Sequence, residues 1–242
     1  MKTNQQFKNE ALAALRGNWV KAVLLTLIYL VLVGIAAGPV SYQSLQMQSY
    51  VQENARTVYQ MASLVQDPVY QALSRQLNGT SGLVTLLEIM LIMPLSIGYA
   101  NAMRLLLVKS DDNLVQNAFS IAFDNYWHKV WTMLWMSILI SLWTLLLIIP
   151  GIIKSFSYAM TPFIVEEYPE LSCTEAIHRS RMMMNGHKFD LFWLWLSFIG
   201  WGFLCVLTAG IGFIWLIPYV ETAQAAFYEE VKADYQINGG LD

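Results

Sequence analysis

Residues 191–220 contain no Asp, Glu, Lys or Arg, and neither do residues 130–153. A bilayer-spanning helix needs roughly 20 mainly apolar residues. Two more stretches come close to that standard. Residues 22–52 are uncharged, and residues 83–107 carry only Glu88 and Arg104. Such runs place a chain in lipid, where every backbone polar group must be satisfied within its own helix. Composition agrees: 13% of the residues are charged, 56% are hydrophobic and mean hydropathy is +0.45. A soluble domain carries about a quarter charged residues. The fold class this implies is all-α, a polytopic membrane helix bundle, read as one integral membrane domain over residues 1–242.

Turn signals divide the long runs. Ala209-Gly210-Ile211-Gly212 interrupts the last run, and Pro150-Gly151 ends the third. Six helices follow, near residues 19–38, 83–107, 129–149, 151–168, 189–208 and 212–231. Gly34-Ile35-Ala36 would serve as a signal-peptidase site, but the preceding apolar stretch exceeds a signal peptide's core, and the segment reads as an uncleaved span. With six spans and a cytoplasmic N-terminus, eleven of the 14 Lys and Arg residues fall on the inside. Only Arg56, Arg75 and Lys154 fall outside, as the positive-inside rule requires. Both termini are then cytoplasmic.

Three segments resemble one another just before the odd-numbered spans: EALAALRGNWVKAVLL, NAFSIAFDNYWHKVWTML and EAIHRSRMMMNGHKFDLFWL. Each has a short helical stretch, then Asn18, Asn125 or Asn185, then Lys21, Lys129 or Lys188. A second echo places Pro94, Pro150 and Pro218 after similar apolar triplets. The pattern predicts three hairpins, each led in by an amphipathic helix in the headgroup layer, with Trp19, Trp127 and Trp131 at the inner boundary. Residues 39–82 form the long outer loop of the first hairpin. Met47, Val51, Val58, Met61 and Val65 recur there at helical spacing, and Asp67-Pro68 ends the pattern.

Several functions have no visible apparatus. A net charge of −3 without a basic block leaves nucleic acid no electrostatic footprint. Cys173 and Cys205 sit in a polar segment and an apolar run, which argues against a disulfide. Glu175 and His178 form a single Glu-x-x-His, half of what a di-iron bundle needs. Glu166, Glu167 and Glu170 read as a solvated acidic loop after the fourth span. No nucleophile-base motif occurs, and neither a metal nor a cofactor is expected. The informative residues are ionisable groups inside spans, because these are expensive in lipid. Glu88, Lys154 and Glu221 are the candidate intramembrane site, extended inward by Asn101, Gln224 and Tyr228. Glu88 and Lys154, at matching depth near the outer edge, are the expected ion pair.

The strings MMMNGHKFDLFWLWLSFIGW and LTAGIGFIWLIPYVETAQAAFYEEV carry a resemblance. With ALRGNWVKAV and IIPGIIKSFSYAMTPFIVEEYPELSCTEAIHRSRMMMNGHK they resemble family 975 of the domains of unknown function. The likeness covers most of the chain outside residues 39–82. It implies a multi-pass helical protein of the bacterial plasma membrane and no catalytic residues. The expected function is a non-enzymatic envelope accessory or scaffold, with the lipid bilayer and a membrane-protein partner as its contacts. The alternative is a small-solute or lipid transporter using the intramembrane charges.

Overall fold

The computed structural model of the protein describes residues 1–54, 63–110 and 113–237. Every regular element among the described residues is a helix. In chain order they are α1 (Asn4–Leu15), α2 (Trp19–Asn54) and α3 (Pro68–Leu87). A π-helical turn, Glu88–Ile92, leads into α4 (Met93–Lys109). Then follow α5 (Leu114–Phe123), α6 (Tyr126–Leu146), α7 (Ile148–Tyr158), α8 (Thr161–Glu167) and α9 (Cys173–Met183). The last three are α10 (Lys188–Leu196), α11 (Ile199–Leu207) and α12 (Phe213–Ile237).

The chain divides into two compact units. One is Leu30–Ile92 and the other is Met1–Tyr29 with Met93–Asp242. In the smaller unit, α2 does not stop at Gly38-Pro39 as expected but runs on to Asn54. Pro39 removes only the one hydrogen bond its own nitrogen would donate, and the turns on either side carry the helix through. At 1.5 Å per residue α2 is about 54 Å long, well beyond a hydrocarbon core of roughly 30 Å. The break expected at Asp67-Pro68 is present. Asp67 Oδ1 accepts from the backbone N–H of Val69 at 2.8 Å and of Tyr70 at 3.2 Å, starting α3. The Tyr50 hydroxyl donates to the same oxygen at 2.9 Å, so α2 and α3 share one anchor. Arg56, Val58 and Met61 lie outside the described residues.

The larger unit holds the main apolar core. The lead-in segments are all helical, as α1, α5 and α9. Each ends in a residue with left-handed backbone before the next helix: Gly17 (φ 87°), Asn125 (φ 44°) and Gly186 (φ 90°). That conformation turns the chain sharply and favours Gly or Asn. The lead-in helices differ from the expectation in one respect: their apolar faces bury against neighbouring helices. Phe7 of α1 meets Phe227 of α12 at 5.5 Å between ring centroids. Leu114, Ala118 and Ala122 of α5 are buried, as are Ala176, Ile177 and Met183 of α9. Helical neighbours offer such faces closer packing than headgroups do. The asparagine echo is uneven, since of Asn18, Asn125 and Asn185 only Asn125 takes the left-handed backbone, and so is the lysine echo. Lys129 is 1% exposed, Lys188 half-buried and Lys21 exposed.

The two described tips share a detail absent from the proline echo. A Cβ on Gly151 would lie 2.3 Å from Thr144 Oγ1, and one on Gly212 would lie 2.7 Å from Cys205 Sγ. In each case the glycine lets the returning helix touch the residue seven positions earlier. Pro150 stands beside its tip, whereas Pro218 is six residues beyond Gly212. The prolines therefore occupy unlike positions. Cys173 and Cys205 are both free thiols.

Among the described residues, four helical stretches are long and apolar enough to cross a membrane: Met90–Lys109, Tyr126–Leu146, Ile148–Glu167 and Lys188–Leu207. Asn4–Leu15 and Trp19–Ile35 qualify only as a pair, bent by 97°. The helix expected at 212–231 exists as α12, but Glu221, Glu229, Glu230 and Lys232 make it too polar to qualify.

Candidate functional site

Large apolar side chains cover the outside of the larger unit. On α6 and the α6–α7 tip they include Trp131, Leu142, Leu145 and Ile149; on α10 and α11 they include Phe192, Trp201, Phe203 and Leu207. Leu145 is 86% exposed and Leu207 82% exposed, which water would penalise and lipid would not. Soluble monomers rarely expose contiguous apolar patches beyond a few hundred Å².

The polar groups converge elsewhere, where α4, α6, α8 and α12 come together. Helix α8 ends in two adjacent carboxylates that face different partners. Glu166 forms an ion pair with Lys129 at the start of α6, and the same ammonium donates to the carbonyl of Ile121. Glu167 lies 3.0 Å from the Arg104 guanidinium of α4, and also pairs with Lys232 of α12. Its Oε2 accepts the Tyr228 hydroxyl at 2.6 Å. Arg104 Nε donates to Glu229, and Lys232 lies 3.8 Å from that same carboxylate. The Arg104 guanidinium sits 5.1 Å and the Lys232 ammonium 6.0 Å from the Tyr228 ring, which also stacks on the Phe163 ring at 4.8 Å. Opposite charges at this spacing offset the desolvation that each would suffer alone. Glu166 and Glu167 are thus not in a solvated loop but helical and paired, because the cations that match them come from three other helices, while Glu170 is exposed in the turn that follows, as expected.

Asn101 lies one turn before Arg104 on α4. It is 1% exposed and donates to the carbonyls of Pro162 at 2.9 Å and Ile97 at 3.1 Å. Its Oδ1 and the Thr161 hydroxyl are buried without a hydrogen-bond partner. Asn101 therefore pins α8 beside the ionic cluster. Nearby, the hydroxyls of Thr26 and Tyr99 are 2.8 Å apart.

Among the described side chains, Lys154, Glu221 and Gln224 of the expected site form no ion pair with this cluster. Lys154 is half-buried on α7, with its ammonium 4.7 Å above the Trp143 ring. The aromatic face gives the cation a partner near the tip. The Glu88 side chain lies outside the described residues, although its backbone opens the π-helical turn. Glu221 and Gln224 are half-buried on α12, with Glu221 close enough to Tyr29 and Tyr99 to act on them electrostatically. Sequence reasoning assigned Arg104 and Lys232 only a side of the membrane and missed their role. The Tyr228/Glu229/Lys232 spacing on one helix and the Glu166-Glu167 doublet were the available signals.

The Glu-x-x-His motif resolves into a helix cap. Ser172 is the N-cap of α9; its backbone N–H donates to Glu175 at 2.8 Å and its hydroxyl accepts from the Glu175 N–H at 3.3 Å. Those bonds to Ser172 hold the Glu175 carboxyl below its usual range. A carboxylate lowered in the fold adds stability above its unfolded-chain value and loses it as pH falls through the folded value. Acid unfolding of the detergent-solubilised protein should therefore shift when Glu175 is replaced by Gln, which removes this pH-dependent contribution below pH 5. Superimposable acid curves for the two proteins would refute the cap's role.

These features define an all-α protein of unknown function whose helices are apolar enough for a membrane location. Residues 144–235 match the family model described as a protein of unknown function, DUF975. The resemblance read from the sequence is thereby found over that stretch, which runs from the end of α6 into α12 and includes Glu166, Glu167, Tyr228, Glu229 and Lys232. No curated protein and no solved structure matches the chain.

Proposed function

We propose that the chain is a non-enzymatic, multi-pass protein of a bacterial plasma membrane, acting as an envelope accessory or scaffold. One observation carries this reading. The best-built polar cluster is closed on itself, each of its carboxylates meeting a cation, while the outward surface is apolar. Charges spent on one another hold helices together and leave little for a substrate. Six crossings in three hairpins, with both termini cytoplasmic, fit the Lys/Arg asymmetry and the three lead-in helices. The fifth and sixth crossings would be the first part of α2 and the apolar half of α12. Single cysteines at Gln66 and Gln236, with Cys173 and Cys205 replaced by Ser, should then react with an impermeant maleimide from opposite sides of intact cells. Labelling of both from the same side rejects this topology.

The scaffold role is tested by affinity purification of the full chain from native membranes with mild detergent. The expected result is a membrane protein retained at fixed stoichiometry. Saturable solute uptake by the purified chain in vesicles, lost in Glu221→Gln, would overturn the scaffold reading in favour of transport.

A further inference from the structure

A small cavity of about 180 Å³ lies between α9 and the α6–α7 pair. It is lined by Trp135 and Leu139 of α6, Tyr158 of α7 and Ile177 of α9, with Thr174, His178 and Arg181 of α9 bringing the polar groups. We infer that this cavity binds an anionic phospholipid, with the headgroup phosphate at Arg181 and His178 and an acyl chain along Trp135 and Leu139.

Three observations support this assignment. The first is charge. Arg181 is exposed, and no carboxylate among the described residues pairs with it. Neighbouring cations and acids are engaged elsewhere: Arg179 stacks 4.0 Å from the Tyr168 ring, and Glu175 accepts from the Ser172 backbone. A guanidinium left with open donors suits the oxygens of a phosphate. The second is position. The lining includes a helix long and apolar enough to cross a bilayer, whereas α9 has 11 residues and is too short and polar to do so. In the proposed topology Trp135 lies about one turn past the boundary residue Trp131, so the pocket opens beside the inner part of this span. The third is continuity. Trp135, Ile138 and Leu142 are exposed along α6, so an apolar track leads away from the cavity. A compact soluble anion would use the cation but not that track, which is why the ligand is a lipid. The cleft lined by Lys2, Glu10 and Arg16 is also polar, but there Lys2 is already paired with Glu10 and Glu230.

The inference rests on the membrane reading, so the full chain is first tested for retention in carbonate-washed membranes. Loss from the membrane fraction overturns both statements. With retention established, delipidated protein in detergent is titrated with dioleoyl phosphatidylglycerol, with dioleoyl phosphatidylcholine and with inorganic phosphate, and the thermal unfolding midpoint is read. Phosphatidylglycerol should stabilise at a concentration at least about tenfold lower than phosphatidylcholine, the discrimination of about 1.4 kcal/mol expected of a charge-assisted contact. Arg181→Gln should bring the two lipids within about twofold, without moving the lipid-free midpoint, since the side chain is exposed. Trp135→Ala should weaken both lipids equally. An unchanged phosphatidylglycerol preference in Arg181→Gln overturns the site. Equal stabilisation by inorganic phosphate overturns the lipid as its ligand.

Discussion

Glu166→Ala should destabilise the protein by about 3–5 kcal/mol, the cost of leaving a buried charge uncompensated. The residue left behind is the reason. Lys129 is 1% exposed, and its partners among the described residues are Glu166 and the Ile121 carbonyl, so losing the carboxylate leaves a cation with no access to water. The converse change should be milder. In Lys129→Met the four-carbon stem is replaced by a chain of similar length, and the side chain of Glu166, 23% exposed, can reach solvent. The double variant should recover most of the loss, because removing both charges replaces a buried pair by apolar packing. Unfolding midpoints of the four proteins in one detergent give this as a double-mutant cycle. Equal and additive losses for the two single variants would show that the contact is a surface pair of little worth.

Gly98→Ala should be the most damaging single-methyl change in the larger unit. A Cβ there would lie 2.1 Å from the carbonyl oxygen of Ala118 and 3.0 Å from Ala122 Cβ. A backbone oxygen cannot rotate away as a side chain can, so α4 and α5 must separate. Overpacking of this kind costs about 1–3 kcal/mol, and the separation also loosens the seat of Arg104 two turns further along α4. Gly82→Ala is the matched control. Gly82 is a helical glycine on α3, but its added Cβ meets nothing within 4 Å. There the change should be neutral or favourable by up to about 1 kcal/mol, since Ala is the better helix former. Comparable losses at both positions would mean that the α4–α5 contact is not close-packed.

The spans were legible because hydrocarbon asks only for length and apolarity, which residues 130–153 and 191–220 display without reference to anything else. The turns were legible for a similar local reason. Gly210, in the expected Ala209-Gly210-Ile211-Gly212 turn, takes a left-handed backbone that few other residue types adopt. Legibility failed where a residue's fate depends on another segment. Glu166 and Glu167 looked like a solvated acidic run because their partners are Lys129, Arg104 and Lys232, on three separate helices. The apolar faces of α1, α5 and α9 announced amphipathic helices, but not whether lipid or protein would cover them. Lys154 lies over the Trp143 ring, a neighbour that depth along the chain does not announce, because depth does not set helix rotation.

The sequence by itself therefore determined the all-α class, the apolar runs, the lead-in helices and the likeness to the family, since each is encoded in spacing within one segment. The tertiary structure alone decided which charges meet. Helix rotation and packing set those encounters over the few ångströms at which an ion pair forms, a precision that residue spacing along one helix does not carry to its neighbours.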